Sequence, residues 1–185
     1  MAVSPTPSII LVLPVRDRLT WETLCERHHF HPVIQIVDGG VTRFQSVRNG
    51  LAAISALENE TRPSRSATGL VAVHDGVRPY VSPEIIQDSY VTAARTGSAV
   101  TCVPVKDSVR QVTAEGSTAL DRSALRLVQT PQTFRLDWFQ QAFETDELSH
   151  FTDCASVLEH AGFPITLIEG SYENIKITTP EDLVS

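Results

Sequence analysis

Short apolar, β-branched runs alternate along this chain with stretches whose apolar residues recur at helical spacing, the pattern of a mostly parallel sheet covered by helices. The first run, IILVL (Ile9 to Leu13), leads into a helix expected from about Arg18 to His29, and VIQIV (Val33 to Val37) follows. After a DGG turn, Val47, Leu51, Ile54 and Leu57 mark one face of a second helix. Asn59 to Thr68 is rich in Ser, Thr, Arg and Pro and predicts a loop. LVAVH (Leu70 to His74) has no polar residue until its end, as a strand buried on both faces should. Pro83 suits the first turn of a helix reaching Arg95, capped by Ser82.

Beyond AVTCVPV (Ala99 to Val105) the alternation breaks. From Lys106 to Gln129 two extended stretches, around DSVRQVT and RLVQT, flank a polar turn near Glu115 and Gly116. That pattern predicts a hairpin arm at about 106–129. An arm that cannot bury its own apolar face finds a partner chain, so a homodimer is expected. The last third predicts a helix near Leu136 to Phe143, another from about Asp153 to His160, a strand ITLIE (Ile165 to Glu169), an extended NIKIT (Asn174 to Thr178) and the start of a helix at TPEDL.

Composition narrows the class. A length of 185 residues with 42% hydrophobic and 20% charged residues suits a single globular domain over residues 1–185. The net charge of -7 excludes a general nucleic-acid or anionic-membrane surface, which needs excess Lys and Arg, yet leaves room for single phosphate sites. Cys25, Cys102 and Cys154 are odd in number and far apart, with no CxxC, so they are read as reduced core thiols. No apolar run is long enough to span a membrane, and MAVSPTPS lacks the basic start and long apolar stretch of a secretory signal. A cytoplasmic protein is expected.

Asp75 closes the strand LVAVH, and the crevice beyond the carboxyl ends of such strands is where α/β folds bind ligands. A carboxylate there suits Mg²⁺, and Arg78, fixed before Pro79, brings a planar fork of donors for an anion. The plainer alternative is an Asp that caps the loop and pairs with Arg78. His74 reads as a buried, hydrogen-bonded histidine. In DGGVTRFQSVRNGL (Asp38 to Leu51), Gly40 permits close backbone approach to a ligand and Ser46 is the side chain best placed to touch a base or sugar, although GG before a helix is also common in plain turns. Arg43 and Arg48 equally suit a solvated helix face. Lys176, between Ile175 and Ile177, is either an edge-strand charge or a phosphate ligand. Thr152 and Asp153 resemble an N-cap. No Ser-His-Asp order, glycosidase-like carboxylate pair or complete P-loop is present.

Taken in order, DGGVTRFQSVRNGL, VAVHDGVRP, PVKDSVR, Arg122 before LVQTPQTF, TDCASVLE and EGSYENIKITTPEDL resemble the 2-C-methyl-D-erythritol 4-phosphate cytidylyltransferases of the non-mevalonate isoprenoid pathway. The resemblance implies a Rossmann-like α/β fold with a mostly parallel sheet, helices on both faces and a β-arm that clasps a second subunit. It implies transfer of CMP from CTP to methylerythritol phosphate with release of pyrophosphate. Asp75 is implied as the Mg²⁺ ligand, Gly40 and Ser46 as contacts to the cytidine, and Lys176 as a stabiliser of charge at the reacting phosphate. Arg78, Asp107, Arg122, Thr130, Thr152 and Lys176 are implied around the acceptor, with Arg122 and Thr130 supplied across the dimer.

The family opens with a strand and a glycine-rich loop ending in a Pro-Lys-Gln-like motif, and the resemblance begins here only at Ile9. Activity well below that of an intact enzyme is therefore expected of the chain as written. Gly76 and Val77 stand where the family usually has two alanines. Two other functions fit the same residues: ribitol-5-phosphate cytidylyl transfer, and a non-catalytic dimeric remnant that uses the arm only for association.

Overall fold

The computed structural model describes residues 6–61 and 69–183 of the chain. The elements run β1 (Ile10–Leu13), α1 (Arg18–Arg27), β2 (Gln35–Asp38), α2 (Arg43–Thr61), β3 (Leu70–Val73), α3 (Pro83–Thr96) and β4 (Ser98–Pro104). They continue with β5 (Val109–Thr113), β6 (Gly116–Leu120), β7 (Arg126–Arg135), α4 (Leu136–Ala142), α5 (Cys154–His160) and β8 (Leu167–Glu169). The described residues form two compact units, one within Leu70–Arg135 and Gly162–Ser185 and one within Ala2–Gly69 and Leu136–Ala161.

The first unit is built on a sheet of order β3-β7-β4-β8. β3, β4 and β8 point the same way, and β7 runs antiparallel between β3 and β4, so the α/β class and the mostly parallel sheet are as expected. Six of the seven residues of β4 are buried, which is why that segment reads as a run without polar alternation. β3 is only half-buried throughout: it pairs with β7 alone among the described residues, and an edge strand keeps one side open. α3 starts as predicted, with Pro83 in its first turn and Ser82 Oγ accepting from Ile85 N–H at 3.3 Å. Gly97, at φ 93°, ends it in the left-handed conformation that glycine adopts without strain.

Two sequence expectations are corrected here. RLVQT does not form the second half of the arm; it is the start of β7, paired with β4 from Arg126↔Pro104 onward. The hairpin is β5–β6 alone, Val109–Leu120, with Thr113↔Gly116 as the last pair before the turn. NIKIT is not a strand and joins no sheet among the described residues; Asn174 lies in a bend, and Ile177 N–H donates to Val77 O at 2.8 Å. The alternation nonetheless holds, Ile175 and Ile177 half-buried and Lys176 exposed.

In the second unit β1 and β2 pair in parallel from Ile10↔Gln35 to Leu13↔Asp38. α2 packs on them closely enough that a Cβ at Gly50 would lie 3.1 Å from Val12 Cγ2. Leu51 is buried and Val47 and Ile54 half-buried; α2 continues through 59–61, where a loop is expected, while the side chain of Leu57 and the rest of that loop, 62–68, lie outside the described residues. Phe44 stacks on Phe143 at 4.9 Å and on Phe151 at 5.9 Å, and Phe139 meets Phe143 at 4.6 Å, an aromatic cluster that adds edge and stacking contacts to the burial of area. α5 carries a full capping box between Asp153 and Ser156. No helix among the described residues is long and apolar enough to cross a membrane.

Candidate functional site

β3 ends at Val73, and the chain turns back on itself so that Arg78 N–H donates to Asp75 O at 3.0 Å. The turn delivers two charged groups, Asp75 and Arg78, and Lys176 of the 174–178 segment meets them there. Asp75 Oδ2 lies 3.3 Å from Arg78 Nε and 3.3 Å from Lys176 Nζ. The Asp75 and Arg78 side chains are only 15% and 11% exposed, whereas that of Lys176 is 46% exposed. Arg78 Nη1 also donates to Asn174 O at 2.8 Å. The structure therefore brings Lys176 from a distant part of the chain to Asp75 and Arg78, and it places the lysine on the solvent side of the cluster.

Thr130 lies under this turn. Its Oγ1 accepts the Asp75 N–H at 2.9 Å and faces His74 Nδ1 at 3.1 Å, and the residue is 3% exposed. Thr130 thus sits beside Asp75 of its own chain and not on the arm. His74 is hydrogen-bonded as expected, at both ring nitrogens, but exposed rather than buried, because it follows the last paired residue of an edge strand. Asn174 escapes the sequence reading altogether: it is fully buried, and its Nδ2 donates to Thr130 O at 2.9 Å and Gln129 Oε1 at 3.3 Å. Only its place two residues before Lys176 hints at that part.

Asp107 and Arg122 flank the β5–β6 hairpin. Asp107 is exposed, and exposed Arg122 donates through Nη1 to Lys106 O. Lys106 Nζ sits 3.4 Å above the Tyr172 ring, whose hydroxyl donates to Pro104 O at 2.7 Å, so the base of the arm is tied down by a cation–π contact.

In the second unit the glycine turn closes onto α2. Gly40 N–H donates to Ser46 Oγ at 3.0 Å, which itself donates to Thr42 O at 2.9 Å; Gln45 N–H donates to Thr42 Oγ1 at 3.2 Å, and Val41 N–H to Gln45 Oε1 at 3.0 Å. Thr42 and Gln45 are in effect a capping box displaced by one residue. Arg43 is not a solvated charge: it is half-buried and donates to Cys154 Sγ at 3.4 Å. Arg48 is exposed, 5.7 Å over the Phe44 ring. Thr152 is exposed, one residue ahead of the Asp153 cap. The cysteines are unbridged, Cys102 and Cys154 buried, and burial pushes the Cys102 thiol up, as an inert core thiol requires.

Residues 2–185 match the family model described as 2-C-methyl-D-erythritol 4-phosphate cytidylyltransferase. The chain is 45% identical over 175 residues to the protein of that name from Bacteroides thetaiotaomicron, covering 95% of this chain and 75% of the relative. It is 40% identical over 179 residues to that from Bacillus licheniformis, covering 95% and 73%. Among solved structures it resembles 4-diphosphocytidyl-2C-methyl-D-erythritol synthase from Anaerococcus prevotii, with a TM-score of 0.80 at 27% identity over 98% of this chain and 78% of that one. The cytidylyltransferase from Francisella tularensis gives a TM-score of 0.75 at 32% identity over 98% and 79%.

Proposed function

The chain belongs to the 2-C-methyl-D-erythritol 4-phosphate cytidylyltransferase family, and from that premise we propose how its residues carry the reaction. The enzyme transfers CMP from CTP to 2-C-methyl-D-erythritol 4-phosphate in non-mevalonate isoprenoid biosynthesis, giving 4-diphosphocytidyl-2-C-methyl-D-erythritol and pyrophosphate. An oxygen of the acceptor phosphate attacks the α-phosphorus of CTP in line, and the bond to the β-phosphate oxygen breaks. Two anions must meet, so positioning and charge neutralisation supply most of the catalysis and no protein nucleophile is needed.

The observation that carries the assignment is the shared contact of Arg78 and Lys176 with one oxygen of Asp75, at 3.3 Å each. Two cations converge where a phosphate would bridge them, beside a carboxylate. Asp75 is the residue that would hold Mg²⁺. No group of three or more His, Cys, Asp or Glu side chains forms a cage among the described residues; this fits Mg²⁺, which takes one or two carboxylates and completes its shell with water and substrate phosphates. When bound, the metal would neutralise the triphosphate. Lys176, the more open of the two cations, faces the reacting phosphate, and Arg78, held by Asn174 O, faces the acceptor. Gly40 and Ser46 hold the cytidine. Ser46 Oγ already receives the Gly40 N–H and donates to Thr42 O, so what it has left is a lone pair, suited to an amino group of the base. Asp107, Arg122 and Thr152 complete the acceptor's surroundings, with Arg122, in the turn that follows the β5–β6 arm, reaching a second subunit.

Pyrophosphate release from CTP and methylerythritol phosphate, followed against Mg²⁺ concentration, tests this reading. Asp75→Asn should lower kcat/KM by about 100- to 1,000-fold relative to the unsubstituted chain, the range for removing one group that meets developing charge. It should also raise the Mg²⁺ needed for half-maximal rate. An Asp75→Asn chain with unchanged Mg²⁺ dependence and turnover overturns the assignment.

A further inference from the structure

None of the transfer's steps uses His74, yet it is bonded at both ring nitrogens. Nε2 lies 3.1 Å from Arg78 O, and Nδ1 lies 3.1 Å from Thr130 Oγ1. A carbonyl oxygen only accepts, so Nε2 carries the proton. In the neutral ring Nδ1 is then the acceptor, and the Thr130 hydroxyl donates to it. The same hydroxyl oxygen accepts the Asp75 N–H at 2.9 Å. One directed chain of bonds runs from the Asp75 amide through Thr130 and His74 to the Arg78 carbonyl. It links the two ends of the Asp75–Arg78 turn through a buried residue of β7.

We propose that His74 is a positioning residue for cytidylyl transfer: by bridging Thr130 and the Arg78 carbonyl it fixes how far apart the turn presents the Asp75 carboxylate and the Arg78 guanidinium. The bridge also settles what Thr130 does. Its proton points at His74 and its oxygen receives Asp75, so Thr130 has no proton to give a phosphate and acts through the turn. This inference rests on the assignment of Asp75 and Arg78 to the metal and the acceptor. Four attachments of the turn do not involve the His74 ring: Asp75 N–H to Thr130 Oγ1 at 2.9 Å, Asp75 Oδ2 to Lys176 Nζ at 3.3 Å, Ile177 N–H to Val77 O at 2.8 Å and Arg78 Nη1 to Asn174 O at 2.8 Å. Removing the ring therefore loosens the turn without detaching it.

Two measurements test the proposal. First, ¹⁵N NMR of the imidazole in the unsubstituted chain, at about pH 8 where an ordinary imidazole is neutral, should show the Nε2–H tautomer; the Nδ1–H tautomer overturns the proposal. This reading needs no substrate, so it is independent of whether Asp75 proves to be the metal ligand. Second, His74→Ala should lower kcat by about 100-fold, the cost of misplacing reacting groups by about an ångström, with KM for CTP little changed. His74→Asn retains a polar group near Thr130, and His74→Gln retains one that reaches Arg78 O. Each should recover roughly a tenth or more of the unsubstituted kcat, since each restores one of the two geometric constraints. Equal losses in all three variants, in step with their melting temperatures, would make His74 merely structural and overturn the proposal.

Discussion

A Cβ at Gly40 would fall 2.3 Å from Gln45 Cβ and 3.0 Å from the Gln45 carbonyl carbon, far inside van der Waals contact and against atoms that cannot swing aside. Gln45 also accepts the Val41 N–H that holds the turn. Gly40→Ala must therefore shift the start of α2, at the cost of about 1–3 kcal/mol typical of overpacking, visible as a lower urea midpoint. If Gly40 and Ser46 hold the cytidine, KM for CTP rises as well. An unchanged midpoint would mean that the turn yields freely. At this scale the sequence was informative where chemistry is local: two glycines before a helix, and Asp and Arg three apart after an apolar run. It left Lys176 open between edge charge and ligand. Its pairing with Asp75 joins positions 75 and 176, and no local pattern encodes that.

The least legible element is β7. Four of its residues, Gln129, Thr130, Gln132 and Thr133, are polar and nearly sealed from solvent, and a polar run beside an exposed hairpin reads as more hairpin. What makes it a central strand is partners from elsewhere: Ser89 Oγ shares a hydrogen bond with Thr133 Oγ1 at 2.9 Å, Gln129 Nε2 donates to Ser171 O at 2.8 Å, and Asn174 Nδ2 donates to Thr130 O. By contrast β4 and α3 were readable, one from its apolar run and the other from Ser82 and Pro83. Because Asn174 satisfies buried acceptors of β7, Asn174→Ala should leave Thr130 O and Gln129 Oε1 short of a donor. At about 1–3 kcal/mol for each of these two unsatisfied buried groups, a loss of about 2–6 kcal/mol is expected from denaturant unfolding. Asn174→Asp, which cannot donate when ionised, should lose at least as much. A loss below about 1 kcal/mol would mean that those acceptors find other donors.

For the molecule as a whole, the arm raises the question of assembly. Every residue of β6 and four of five in β5 are exposed, and the two strands pair only with each other. A lone two-stranded ribbon is marginal in water. This one is braced across its strands, Arg110 donating to the Ser117 hydroxyl at 3.0 Å and the Ser117 carbonyl at 2.9 Å. It still leaves Val112 77% exposed, while Leu127 and Val128 at the start of β7 are 53% and 45% exposed. Apolar side chains held open on a braced, solvent-exposed ribbon suit a second copy of the chain, and Arg122 at the foot of that ribbon is the residue proposed to serve the partner's acceptor. Replacing Val109–Leu120 by a short turn leaves every pairing of the β3-β7-β4-β8 sheet intact, so the shortened chain should fold with the same far-ultraviolet signature. In sedimentation velocity the full chain should run as a dimer and the shortened one as a monomer, and the shortened one should lose acceptor affinity while still binding CTP. A full chain that sediments as a monomer at micromolar concentration, or a shortened chain that remains dimeric, would remove the arm from the assembly and, with it, Arg122 from the neighbouring site.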